Sequence, residues 1–188
     1  TGICCTTGDG GAATSAYLTA PKSVAFDAAG NIYLMNSASR VRKITAATGV
    51  ITTVAGSGTS GYAGDGGPAA GAQIHLSSGI AVDASGSLYI ADTYNQRVRK
   101  VTAGGTISTV AGTGIPGNVA ATGVGLSLPR GMALDSTGNL YFADSSNGRV
   151  RKVAAATGLV TTVAGSGVCC TTGDGAAATS AYIASPTG

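Results

Sequence analysis

Apolar and polar residues alternate along this chain in short runs, each closed by residues that favour tight turns. From Gly79 the runs are Gly79–Asp83, Ser87–Asp92, Arg97–Thr102 and Thr106–Ala111. They are rich in Val, Ile, Tyr and Thr, which suit a pleated, half-buried surface. The breaks read Asp-Ala-Ser-Gly, Thr-Tyr-Asn and Ala-Gly-Gly, residues that tolerate tight turns and positive φ. No stretch keeps helical spacing over a useful length. A chain with 31 Gly and neither Glu nor Trp also lacks helix-forming composition. The pattern predicts an all-β fold with four antiparallel strands per unit.

The unit occurs three times, from Ser23, Gly79 and Gly131, with Asp27, Asp83 and Asp135 marking the register at spacings of 56 and 52. The flanks repeat as well. Ile3–Pro21 and Val168–Pro186 agree at 14 of 19 positions at an offset of 168 − 3 = 165 residues, a mean period of 165/3 = 55. A fixed period of this size marks a stacked or radial repeat architecture. The organisation is a linker at 1–21 equivalent to 168–186, then repeats at 22–77, 78–128 and 129–188, the last with its trailing linker. Linkers of about twenty residues are long for a compact domain and are expected to wrap across to the next unit. Asp9, Asp65 and Asp174 sit in Gly-Asp-Gly loops of these linkers; the linker after the second repeat has none.

Four-stranded repeats set radially make β-propeller blades. The strings GIAVDASGSLYIADTYNQRVRKV and GMALDSTGNLYFADSSNGRVRKV resemble NHL repeats, and the linker GSGTSGYAGDGGPAAGAQ resembles that of long secreted bacterial proteins of this kind. The first repeat departs from the pattern, with Asn36 where Asp92 and Asp144 stand and a turn one residue shorter. The resemblance implies a ring of six blades. Three blades do not close a ring, so the expectation is a larger assembly: two chains of three blades, further tandem repeats, or an open stack. The chain begins inside a linker without Met, which reads as excision from a longer array. The pairs Val24/Phe26, Ile80/Val82 and Met132/Leu134 are expected to pack between sheets, with Ala25, Ala81 and Ala133 near the axis.

Charge narrows the function classes. Charged residues make up 10% of the chain and the formal net charge is +3, too little for a strong claim on nucleic acid or anionic membranes. No apolar run approaches the roughly 20 residues of a membrane span. The four cysteines form two vicinal pairs, Cys4–Cys5 and Cys169–Cys170, in equivalent linkers. Adjacent cysteines seldom bond to each other, so these are disulfide candidates within a linker or between units, in an extracellular or cell-surface protein. Their spacing does not suit zinc.

All eight acids are Asp at repeat positions, and nine of eleven bases lie in the R-V-R-K strands; Lys22 and Arg130 follow the equivalent prolines Pro21 and Pro129. Catalytic sites usually break such patterns, and here almost nothing breaks. Asp92 with Arg97 and Asp144 with Arg149, five residues apart, are read as ion pairs internal to the repeat that set the hairpin. The Gly-Asp-Gly loops are read as tight turns, one carboxylate being thin for calcium. His75, the single histidine, is a substitution within a linker and cannot build a metal site alone.

No catalytic, cofactor-binding or metal residue is therefore expected. The leading expectation is a non-catalytic extracellular repeat protein that assembles with copies of itself or presents a rigid surface. The alternatives are an enzyme of the lyase or lactonase type known on six-bladed scaffolds, which needs several converging metal ligands, and a ligand-binding or adhesion module.

Overall fold

Among the described residues, twelve strands run in three antiparallel meanders. The computed structural model describes residues 7–113, 125–168 and 175–187. The first sheet holds β1 (Pro21–Phe26), β2 (Ile32–Asn36), β3 (Arg40–Ile44) and β4 (Ile51–Ala55). The second holds β5 (Gly79–Val82), β6 (Leu88–Asp92), β7 (Arg97–Val101) and β8 (Ile107–Ala111). The third holds β9 (Pro129–Leu134), β10 (Leu140–Asp144), β11 (Arg149–Val153) and β12 (Val160–Ala164). Each sheet is one propeller blade, and β1, β5 and β9 lie side by side as its innermost strands. The apolar runs of the second repeat thus become strands within one residue of their expected bounds.

Local chemistry explains the turns. Asp27, Asp83 and Asp135 stand just past the first strand of each blade. Asp83 Oδ1 accepts from the backbone N–H of Ser85 (3.0 Å) and Ser87 (2.8 Å), and its second oxygen accepts from the Tyr89 hydroxyl (3.2 Å). Asp27 and Asp135 repeat the arrangement with Tyr33 and Tyr141. An aspartate that organises its own turn in this way fixes the register of the hairpin. The chain leaves each outermost strand through Gly56, Gly112 or Gly165, with φ of +88°, +88° and +91°. A Cβ on these glycines would stand 2.1, 2.2 and 2.1 Å from the carbonyl oxygens of Ser39, Gln96 and Gly148, so only glycine fits.

The apolar core lies between blades, not within them. Tyr33, Met35, Val41 and Ala55 of the first blade meet Ile80, Leu88, Ile90, Val101 and Ile107 of the second, with Ala69, Ala72 and Ile74 of the linker sealed among them. A second cluster joins Ala81, Tyr89, Val98 and Ala111 to Leu140, Phe142 and Val153, with Leu126 of the next linker. Ile80 is buried as expected, and Val82, Met132 and Leu134 pack partly buried against these clusters. Val24 and Phe26 differ: they are 53% and 63% exposed, because no described blade precedes theirs to cover them.

Candidate functional site

The linker between the first two blades is a strap with two seats, and the described parts of the first and last linkers each occupy one of them. Residues 64–74 bond back to the blade they leave, where Gly56 N–H donates to Ala69 O (2.9 Å) and Ser57 N–H to Ala72 O (2.7 Å). They also bond forward along the outermost strand of the blade they enter. There Gly66 N–H donates to Ile107 O (2.8 Å), Ala69 N–H to Gly105 O (2.8 Å) and Ile107 N–H to Gly67 O (3.1 Å). The first linker makes the forward set on β4: Gly10 N–H to Ile51 O (2.8 Å), Ala13 N–H to Gly49 O (2.9 Å) and Ile51 N–H to Gly11 O (3.0 Å). The third makes the backward set: Gly165 N–H to Ala178 O (2.9 Å) and Ser166 N–H to Ala181 O (2.8 Å).

The forward seat carries charge. In the Gly-Asp-Gly turn, Asp65 accepts from Arg99 (Nε 2.9 Å, Nη2 2.6 Å), from Thr109 N–H (3.1 Å) and from the Tyr62 hydroxyl (2.9 Å). Asp9 likewise meets Arg42 (Nε 2.9 Å, Nη2 2.5 Å) and Thr53 N–H (3.1 Å). Arg42 and Arg99 are fully buried, so these linker carboxylates neutralise charges that water does not reach. Burial alone would raise the Asp65 carboxyl, but bonds from Thr109, Tyr62 and Arg99 outweigh it and hold it below the usual carboxylate range. Asp9 is lowered against burial by Thr53 and Arg42.

The strand-end aspartates complete the network, with partners other than those the spacing suggests. Asp92 and Arg97 face each other in the ladder, as do Asp144 and Arg149. Yet Asp92 reaches Arg99 Nη1 (3.2 Å) and Asp144 reaches Arg151 Nε (3.0 Å). Arg97 donates to Thr113 O and stacks on Tyr62, and Arg149 donates to Ser166 O (2.8 Å). The reason is burial. Asp92 is fully enclosed and held inward by His75 N–H (2.8 Å) and Asn95 Nδ2 (2.9 Å), facing the enclosed Arg99, whereas Arg97 is only partly buried and has carbonyls to serve. Burial, against those bonds, pushes the Asp92 carboxyl up. Every buried arginine keeps at least one carboxylate: Arg42 has Asp9, Arg99 has Asp65 and Asp92, and Arg151 has Asp144. The pairing of linker and strand escapes local spacing. A signal for it exists: Asn36 replaces Asp where a Gly-Asp-Gly loop precedes the repeat, and Asp144 stands where that loop is missing.

Beside the axis, the inner strands frame an open groove of about 590 Å³, lined by Lys22, Ser23, Val24, Ser78, Ile80, Met132 and Tyr141 among others. Its lining holds no carboxylate, imidazole or thiol among the described residues. His75 lies away from this lining, its ring 5.3 Å from that of Tyr94. Among the described residues no three His, Cys, Asp or Glu side chains gather as a metal site would require, and no described helix is long and apolar enough to cross a membrane. Cys4, Cys5, Cys169, Cys170 and Asp174 lie outside the described residues.

Two family models match: the Teneurin NHL domain over residues 4–62 and the NHL repeat over residues 78–101. No curated protein matches the chain. A structural genomics protein of unknown function from Bacteroides thetaiotaomicron is similar, with a TM-score of 0.66 and 21% identity over 89% of this chain and 41% of that one. An auxiliary nutrient binding protein from Bacteroides ovatus follows, with 0.61 and 21% over 89% and 42%. A gluconolactonase from Xanthomonas campestris gives 0.57 and 15% over 78% and 48%. The chain spans less than half the length of these structures, which at such identities show the fold alone. The turn aspartates, the R-V-R-K strands and the family matches agree: the chain is built of NHL repeats folded as β-propeller blades.

Proposed function

We propose that this chain is a non-catalytic structural repeat segment that offers its axial face as a rigid interaction surface, outside the cell or at its surface. One observation carries the reading. All seven described aspartates are engaged in bonds that recur with the repeat, as turn organisers or as partners of buried arginines. Carboxylates committed to the scaffold in this way are not available as general acids, bases or ligands. The axial groove offers hydroxyl, lysine and apolar contacts, which suit binding more than bond cleavage. The nutrient-binding neighbour from Bacteroides ovatus shares the fold and is consistent with a surface role. The test is elemental analysis of purified protein, with assays on lactones and amidated peptides. Metal below stoichiometry and no turnover are expected; stoichiometric zinc or iron, or turnover above background, would overturn the reading. Fractionation of expressing cells tests the location.

A further inference from the structure

The two outer faces of the three-blade unit are the two halves of a junction that the unit already contains twice. On the leading side, Val24 and Phe26 are 53% and 63% exposed, whereas Ile80, which occupies the Val24 position in the second blade, is 4% exposed. On the trailing side, Val150 and Ala164 are only partly covered, whereas their counterparts Val98 and Ala111 are fully buried. The straps show the same division. Ala69 and Ala72 are buried between two blades, but among the described residues no blade stands behind Ala13 and Ala16 or ahead of Ala178 and Ala181. In the second linker the carbonyls of Ala69 and Ala72 accept from Gly56 and Ser57; the equivalent carbonyls of Ala13 and Ala16 present the same acceptors on the leading side.

We propose that the leading face of the first blade binds the trailing face of the third blade of a second copy of this chain, head to tail. The proposal deepens the structural reading above by naming the partner. It fits because every feature of the contact is already realised inside the chain: apolar partners, strap register and acceptor carbonyls. A heterologous contact of this kind closes a ring or grows an open chain.

The geometry adds a constraint. The junction has room for one strap, and two near-duplicates compete for it. Residues 8–18 and 173–183 differ only at Gly11/Ala176 and Leu18/Ile183. Residues 8–16 stay seated, because their departure would take Asp9 from the fully buried Arg42, whose position-36 neighbour in the repeat is Asn where the other blades have Asp. Residues 175–183 hold the third blade through backbone bonds and the partly covered Ile183, so they yield their place to Ala13 and Ala16 of the incoming copy.

Sedimentation equilibrium or light scattering of the full chain over a concentration series tests this. Species of at least twice 18.0 kDa are expected. Val24→Asp/Phe26→Asp changes side chains more than half exposed, so the circular dichroism spectrum should hold while self-association weakens by roughly tenfold or more. Ile183→Asp should loosen the competing strap and tighten association several-fold. A chain that stays at 18.0 kDa up to about 1 mM overturns the docking, whatever the elemental analysis and activity assays give. Unchanged association in Val24→Asp/Phe26→Asp overturns the assigned face, and weakened association in Ile183→Asp overturns the strap assignment.

Discussion

Arg99 is the buried charge on which the second blade depends, and its two carboxylates should prove mutually redundant. Asp65→Asn removes a strap partner whose side chain is 31% exposed, so solvent screening keeps the loss to about 1 kcal/mol. Asp92→Asn is fully buried and leaves an amide nitrogen facing Asn95 and Arg99; about 1–3 kcal/mol is expected. The first blade lives with that state: Asn36 stands at this position, its Nδ2 without a hydrogen-bond partner among the described residues, while Asp9 serves Arg42. The third blade lives with the other, since Asp144 alone pairs with Arg151. The double variant has no precedent in the chain. It leaves a guanidinium with no exposed surface facing only the carbonyls of Gln73 and Ala63, and removing the last carboxylate from such a charge costs about 3–5 kcal/mol. The double loss should therefore exceed the sum of the singles by about 1 kcal/mol. Adding Arg99→Met should recover part of it, because the charge is gone. Urea unfolding followed by circular dichroism measures the four variants against the unchanged chain, with the m-value checked for constancy and hydrogen exchange in β6 and β7 reporting blade opening. Additivity within about 0.5 kcal/mol would refute the idea of a shared buried charge.

Gly112→Ala should cost at least about 3 kcal/mol, because its Cβ would meet Gln96 O at 2.2 Å at φ +88°. Gly86→Ala, at φ +79° with nothing within 4 Å, should cost only about 1 kcal/mol; equal melting shifts for the two would sink the steric account. Acid should destabilise the protein through its turn aspartates. Asp27 and Asp135 are held below the usual range chiefly by the Asn31 and Asn139 side chains, and Asp83 by Ser85 and Ser87 against burial. A folded-state value below the unfolded one means stability present above about pH 4 and lost as pH falls through the folded values. Asp92, raised by burial, acts with the opposite sign and loses stability as pH rises above about 4. Asp135→Asn should therefore flatten the acid limb of a stability–pH curve; an unchanged limb would contradict the assignment.

The blades were legible because their causes are local. Val-Ile-Tyr-Thr runs, turn aspartates and a period near 55 residues need no tertiary knowledge to read. The partners of Asp92 and Asp144 were not legible, because ladder pairing places Arg97 and Arg149 opposite while burial selects Arg99 and Arg151 two residues on. The strap seat of Asp9 and Asp65 was hidden for a related reason. Asp65 and Arg99 are 34 residues apart, and nothing local to a Gly-Asp-Gly turn says which blade it will cross. The exposure of Val24 and Phe26 follows from what stands beside a blade, and the blade's own pattern does not encode that.

The straps also decide how the chain responds to force. Residues 64–74 are hydrogen-bonded to two blades, so tension along the backbone must break this strap from both before either blade is free. Residues 64–74 resist as a set of parallel bonds along β8, loaded in shear, whereas residues 175–187 are held on one side only. Stretched from its ends, the chain should yield first at its outer straps and last at the middle blade. Each lost blade would release a length set by the 56-residue spacing of Asp27 and Asp83, about 200 Å of extended backbone. Under load the repeat would then yield in graded steps, with their size written in the period.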